Sequence, residues 1–333
     1  MSCLIGIDIG GTKCSISLGA VDNDKLLIID KLTFPTEKDN GYMLVIQKMY
    51  DSIDTMLDQH SVQLGQMSAI GISCGGPLDS KNGIIMSPPN LPGWDNVPVV
   101  ELFQVKYGVP VGLQNDANAC ALAEWQYGAG KGLQNMIFLT FGTGLGAGLI
   151  LNGKLYTGTN DMAGEVGHIR LDNYGPVGYG KAGSFEGFCS GGGIAQLAKI
   201  KVMEQWQIGN AVSFCANQRE LDNINAAIIA EAAKNGDALA IAIYKTSGTY
   251  LGKGLSALID ILNPEAIIIG SIFTRDKELL WDSCKNIVAQ EALHCPGNTC
   301  KILPAALGED IGSFAALTIA ATCLQLPGHN RTQ

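Results

Sequence analysis

The sequence is short of charge and of histidine. Asp, Glu, Lys and Arg together make up 16% of the residues, there are 4 histidines, and acidic residues outnumber basic ones by 31 to 22. The resulting formal net charge of −9 excludes a broad basic surface, so no nucleic-acid partner is expected. It does not exclude a small anionic ligand, because backbone amides bind phosphate without net positive charge. No segment reaches the roughly 18 apolar residues of a membrane span. Met1 to Gly10 lacks the cationic start of a signal peptide, and its apolar stretch is broken by Asp8 and glycine. The ten cysteines follow no regular spacing. Cys295 and Cys300 are the closest pair, and no second pair or histidine completes a metal set. Cys3, Cys74 and Cys120 sit inside apolar runs and read as reduced, buried thiols of a cytoplasmic protein. A low-complexity linker is also missing, so any hinge is expected to be built from helices.

Apolar residues and glycine are abundant. Hydrophobic residues make 47% of the chain and there are 42 glycines without a fixed period, a composition that buries a large core and turns tightly. With 333 residues two lobes are expected rather than one core. Strands are predicted at Cys3–Ile9, Lys13–Ala20, Leu26–Phe34, Met67–Cys74 and Val109–Gln114, with helices near 41–57 and at Val97–Tyr107. After a helix at Ala117–Tyr127, a strand, glycine turn and strand recur at 135–151. This is a repeat of topology rather than of sequence. Gly164–Ser190 is a glycine-rich stretch longer than an ordinary loop, and such loops are often functional. Helices are predicted at Ile224–Lys234, Asp237–Leu262 (Asp237 as N-cap, Asn263-Pro264 as stop), Lys277–Ala292 and Ile311–Leu324, with a strand at Ala266–Gly270. Pro327 to Gln333 reads as a frayed tail.

Four constellations carry chemistry. Asp8-Ile9-Gly10-Gly11-Thr12-Lys13 joins two strands. Its glycines let the backbone approach a phosphate, Thr12 and Lys13 add a hydroxyl and a charge, and Asp8 suits Mg²⁺ through water. Thr140 to Gly148 places alternate glycines after a strand, with Thr143 and Gly144 at the turn. It is neither a dinucleotide fingerprint nor a Walker loop. Each turn alone is equally a plain hairpin; two of them opening two similar units resemble two jaws on one polyphosphate. Gln114-Asn115-Asp116 ends a strand and begins a helix. Asp116 is the candidate base for a sugar hydroxyl, with Asn115 orienting it. A plain N-cap is the competing role for Asp116. Gly164-Glu165-Val166-Gly167-His168, followed by Glu186, supplies carboxylates and an imidazole for neutral hydroxyls. A solvated surface loop is the alternative.

In their order and spacing these motifs resemble the ROK family, within the hexokinase–actin–heat-shock ATPase superfamily. Gly75-Gly76-Pro77, Pro89-Asn90-Leu91-Pro92-Gly93-Trp94 and Leu307-Gly308-Glu309-Asp310-x-Gly312 fit as well, so the resemblance spans nearly the whole chain. It implies a two-lobed α/β fold with a duplicated ribonuclease H-like motif. Residues 1–116 and about 311–326 would form the smaller N-terminal lobe, and 117–310 the larger one. It implies an ATP- and Mg²⁺-dependent sugar kinase and a homodimer. Asp116 would be the base, with Gly76, Asn90, Asn115, Glu165, His168 and Glu186 around the sugar. Gly10, Gly11, Thr12, Lys13, Thr143 and Gly144 would hold phosphates, and Gly270-Ser271 would lie on the adenosine side, with Ser271 replacing a glycine. Many family members bind a structural zinc through the histidine and three cysteines. Here the thiolate positions are Val177, Tyr179 and Ser184, so no zinc is expected, and Val177 and Tyr179 are expected to fill the space by packing. Glucose phosphorylated at the 6-hydroxyl leads the substrates, followed by N-acetylmannosamine or N-acetylglucosamine, then allose or fructose. A DNA-binding regulator of the same family is disfavoured because the first strand begins at Cys3, and a sugar sensor without turnover is disfavoured by Asp116 and both glycine turns.

Overall fold

The computed structural model describes residues 2–23 and 25–324. The tail predicted at Pro327 to Gln333 lies outside the described residues. The chain runs through β1 (Ser2–Ile9), β2 (Lys13–Asp22), β3 (Lys25–Pro35), α1 (Tyr42–Gln59), β4 (Met67–Cys74), the short pair β5 (Leu78–Asp79) and β6 (Ile84–Ile85), α2 (Val99–Tyr107) and β7 (Val111–Asn115). Helix α3 (Asp116–Tyr127) leads into β8 (Met136–Phe141), β9 (Leu145–Leu151), β10 (Lys154–Tyr156), β11 (Val177–Gly178), β12 (Lys181–Ala182) and α4 (Phe185–Phe188). There follow α5 (Gly191–Gln207), α6 (Gln218–Leu221), α7 (Ala226–Lys234), α8 (Ala238–Leu262), β13 (Ala266–Ile269), α9 (Ile272–Glu291), α10 (His294–Thr299), β14 (Lys301–Pro304) and α11 (Ile311–Cys323).

Two five-stranded sheets have the orders β3-β2-β1-β4-β7 and β10-β9-β8-β13-β14. In the first, β1 pairs antiparallel with β2 and parallel with β4, and β7 is parallel to β4. The second repeats this, with β8 antiparallel to β9 and parallel to β13, and β14 parallel to β13. The repeat read around the two glycine turns is therefore a duplication of a whole ribonuclease H-like motif. Strand β4, between β1 and β7, is buried along nearly all its length and apolar but for Ser68 and Ser73, whereas β3, at the sheet edge, alternates.

Helix α1 turns Val45, Ile46, Met49, Ile53, Met56 and Leu57 into the core. Met43, one residue into the helix, is 57% exposed. Helix α8 is capped by Asp237, which accepts from the Ala240 amide at 2.8 Å, and stops at Asn263 with φ 44°. Helix α9 begins at Ile272 rather than near Lys277, and its first turn is kinked at Asp276 (φ −128°, ψ 29°). Strands β10 and β14 and helix α5 were not anticipated. Helix α5 opens on Gly191-Gly192-Gly193, poor helix formers; Ser190 starts it by accepting from the Gly193 amide at 2.9 Å. Helix α11 lies across β1 and β4 and packs on α3. A Cβ at Gly71 would lie 2.0 Å from the Ala316 carbonyl oxygen, so only glycine allows this approach.

Candidate active site

The first glycine turn is tied back to the end of β3. The Gly10 amide donates to the Lys13 carbonyl at 3.1 Å, and the Thr36 amide donates to the Thr12 carbonyl at 3.0 Å. The Thr36 hydroxyl donates to the Gly10 carbonyl at 2.6 Å. Thr12 and Lys13 are left exposed. Gly11 lies against Asn90, where a Cβ would come within 2.8 Å. Asp8, at the end of β1, is bonded by Ser73. Burial, reinforced by Asp116, pushes its carboxyl up to about 6, while Lys31, Lys13 and the Ser73 bond oppose the shift.

Asn115, not Asp116, caps α3. Its side-chain oxygen accepts from the amides of Ala117 at 3.0 Å and Asn118 at 3.4 Å. The capping role that competed for Asp116 is thus occupied by its neighbour. Asp116 is the first helical residue; its carboxylate accepts from the Ala117 amide at 2.8 Å and is exposed to the cleft. It is nonetheless surrounded by protein on its other sides, and this burial pushes its carboxyl up, with the Ala117 amide acting against it. Such a group reaches a ligand, and the raised carboxyl favours proton uptake.

The second glycine turn closes through the Gly142 amide and the Gly144 carbonyl at 3.1 Å. The Thr140 hydroxyl oxygen accepts from the Gly146 amide at 2.8 Å. Glu186 accepts from the Leu145 amide at 3.0 Å, linking the segment around Glu186 to this turn. Gly164 donates no side chain to the wall, but its carbonyl accepts from the Ala147 amide at 2.9 Å. That bond fixes Glu165 beside β9. The walls of the cleft, then Asp116 and Glu186, push the Glu165 carboxyl up, with His168 opposing. Gly270 is buried against Phe138, and the cleft wall there is Ser271, held at φ 52°, ψ −114°.

The two lobes meet in one cleft. Gly76, Asn90, Asn115 and Asp116 line it from one side, and Thr143, Gly144, Glu165, Glu186 and Ser271 from the other. An adjoining cavity of about 330 Å³ is shaped by Gly76, Glu165, His168 and Glu186 together with Pro89 and Met162. This size is at the lower end of small-molecule pockets. Asp8 and Gly10 to Lys13 do not line these cavities; they approach through Asn90 and Asp116.

The loop around the expected thiolate positions is held without metal ligands. Val177, 45% exposed, does not fill the space, whereas Tyr179, though 70% exposed, meets the His168 ring edge-on with centroids 6.2 Å apart and walls the adjoining cavity. Ser184 is buried instead and accepts from the Gly187 amide at 3.1 Å. Gln196 brackets Val177, accepting from its amide at 3.0 Å and donating to its carbonyl at 2.8 Å. Lys181 donates to the His168 carbonyl and Arg170 to the Ala182 carbonyl, each at 2.7 Å. A valine, a tyrosine and a serine offer no thiolate, and one imidazole does not complete a tetrahedral zinc site. The donor set does not fit that metal.

Sequence reasoning missed Thr36, which orients the first turn, because its partners lie 24 and 26 positions away. It also missed Glu124, a fully buried carboxylate. Its signal was visible: a single acid in the apolar run Ala119 to Trp125.

The ROK family profile matches residues 4–322. The glucokinase of Halalkalibacterium halodurans is 32% identical over 92% of this chain and 92% of its own length. The xylose repressor of Caldicellulosiruptor bescii is 29% identical over 87% of this chain and 70% of its own. The structure of a ROK family glucokinase from Streptomyces griseus in complex with glucose and AMPPNP superposes with a TM-score of 0.79 at 29% identity, covering 96% of this chain and 99% of that one. With this two-lobed hexokinase- and actin-like architecture and a family match over nearly its whole length, the chain belongs to the ROK family.

Proposed function

We propose that the chain is an ATP-dependent sugar kinase that phosphorylates a free hexose, glucose-like, at its 6-hydroxyl. The observation that carries this reading is the placement of Asp116. A carboxylate at the start of α3, exposed to the cleft and with its pKa pushed up by the protein around it, faces a space walled by the second glycine turn and by Asn90, Asn115, Glu165 and Glu186. His168 opens onto the adjoining cavity. Gly76, Asn90, Asn115, Glu165, His168 and Glu186 would bind ring hydroxyls by donating and accepting. Gly10 to Lys13, Thr143 and Gly144 would hold the phosphates, and Gly270-Ser271 the adenosine side. Asp116 accepts the proton of the attacking hydroxyl as its oxygen bonds to the γ-phosphorus and the bond from phosphorus to the leaving ADP oxygen breaks. Asp8, an oxygen donor beside the first turn, would help hold a Mg²⁺ ion bound with the nucleotide, and such an ion would neutralise phosphate charge. Closure of the lobes would exclude water and favour transfer over hydrolysis.

Residues 1–116 with about 311–326, of which 1, 24, 325 and 326 lie outside the described residues, are taken as one lobe and 117–310 as the other, a division supported by the packing of α11 on β1 and β4. A cytoplasmic homodimer belongs to the same reading. Ten unpaired cysteines support a reducing compartment. N-acetylmannosamine or N-acetylglucosamine is the alternative substrate. Similarity to a xylose repressor keeps a sugar-responsive regulator as a second reading.

The test is sugar-dependent ADP formation across a hexose and N-acetylhexosamine panel, with the phosphorylated position assigned by NMR. Asp116→Asn is expected to lower kcat by about 10²–10⁴-fold. Undiminished turnover in that variant sinks the mechanism. Sugar binding without ADP formation in the unaltered protein favours the regulator.

A further inference from the structure

The turn between β5 and β6 and the loop of residues 157–163 meet at the sugar end of the cleft. The Ser80 amide donates to the Asp161 carboxylate at 2.7 Å. Among the described residues this is the one side-chain hydrogen bond between residues 2–110 and residues 128–306. Each end is anchored to the site. On one side, Asp79 braces the β5–β6 turn, accepting from the amide and side chain of Asn82 at 2.9 and 2.7 Å. The same segment follows Gly76 and Pro77, which wall the sugar cavity. On the other side, the loop is closed by the Ala163 amide and the Thr157 carbonyl at 3.1 Å. It continues through Met162, also in the cavity wall, to Gly164 and Glu165. Asp161 adopts φ 58°, a conformation that aspartate, asparagine and glycine tolerate.

We propose that Asp161 is a latch that holds the two lobes together over the bound sugar, a positioning residue that couples lobe closure to Glu165 and retention of the carbohydrate. This rests on the sugar-kinase reading above. A carboxylate accepting an amide makes a charge-assisted bond, stronger than its neutral counterpart. Because the bond exists only when the lobes are together, its strength biases closure directly. Its loss shifts the cleft towards the open form, and sugar leaves faster.

Asp161→Gly removes the acceptor while keeping φ above zero without strain; Asp161→Asn keeps both an acceptor and the conformation. The glycine variant is expected to raise sugar KM about tenfold, with a smaller change in kcat. ADP release without sugar should rise relative to transfer. The asparagine variant should recover most of the loss. Hydrogen exchange at the Ser80 amide gives a readout independent of turnover. It should be faster in the glycine variant than in the unaltered protein, with and without sugar. Unchanged KM and unchanged Ser80 exchange in the glycine variant overturn the latch. So does an asparagine variant as impaired as the glycine one, or a fall in melting temperature that accompanies equal losses in kcat and KM. Absence of ADP formation with every sugar in the unaltered protein sinks the kinase reading instead, and Ser80 exchange still decides the latch.

Discussion

Single residues at this site hold charge in places that cost stability. Asp8 lies between Ser73, two lysines and Asp116, and its carboxyl titrates at about 6. A folded pKa above the unfolded value of about 3.9 means that the folded state binds the proton more tightly. This contribution to stability is full below pH 4 and is lost as pH rises through 6. Asp8→Asn is therefore expected to melt at a higher temperature than the unaltered protein at pH 7.5, and the two should converge near pH 4. The same change should abolish Mg²⁺-dependent turnover, a trade of stability for activity. Melting curves and ADP formation across that pH range check both parts. A variant less stable at pH 7.5 would contradict the assignment.

At the scale of elements, α11 packs on α3 and lies across β1 and β4. Glu124, near the end of α3, is 0% exposed. One carboxylate oxygen accepts from the Ala129 amide at 2.8 Å and the other from the Leu307 amide at 2.9 Å. It thus joins the helix that begins with Asp116 to the segment leading into α11, whose Gly312 packs against the Asp8 carboxylate. Two backbone donors need two acceptors. Glu124→Gln presents an NH₂ group to one of them and leaves a buried donor unmatched, at a cost of about 1–3 kcal/mol. Denaturant unfolding should show that loss for Glu124→Gln, whereas a surface change such as Glu204→Gln should leave stability within about 0.5 kcal/mol. Equal stability of the glutamine variant and the unaltered protein would show that the junction of α3 with the segment before α11 does not depend on this acceptor pair.

Across the whole molecule, two copies of one topology place their glycine turns in opposing lobes, and the loop beneath them stands on hydrogen bonds. Lys181, Arg170, Gln196 and Ser184 tie that loop to backbone groups. The melting temperature is accordingly expected to be unchanged after treatment with EDTA and dialysis. Metal analysis finding about one zinc per chain, the stoichiometry of a single structural site, would overturn that expectation.

Much of this architecture was legible from local pattern. The apolar run Met67–Cys74 matches β4 residue for residue, and Asp237 and Asn263 bound α8 as their side-chain chemistry dictates. Helix α5 was hidden because its glycine start speaks against a helix, and packing in the larger lobe overrides that local preference. The sequence alone determined which residues carry oxygen, charge and close backbone approach, since those are properties of the side chains and of glycine. The Asn115 cap is local, made with the amides of Ala117 and Asn118, and the structure shows only which of two neighbouring candidates takes it. Tertiary structure alone decided that Glu186 turns to the Leu145 amide and that Asp161 reaches Ser80, because those donors and acceptors are distant in the chain and meet only when it folds.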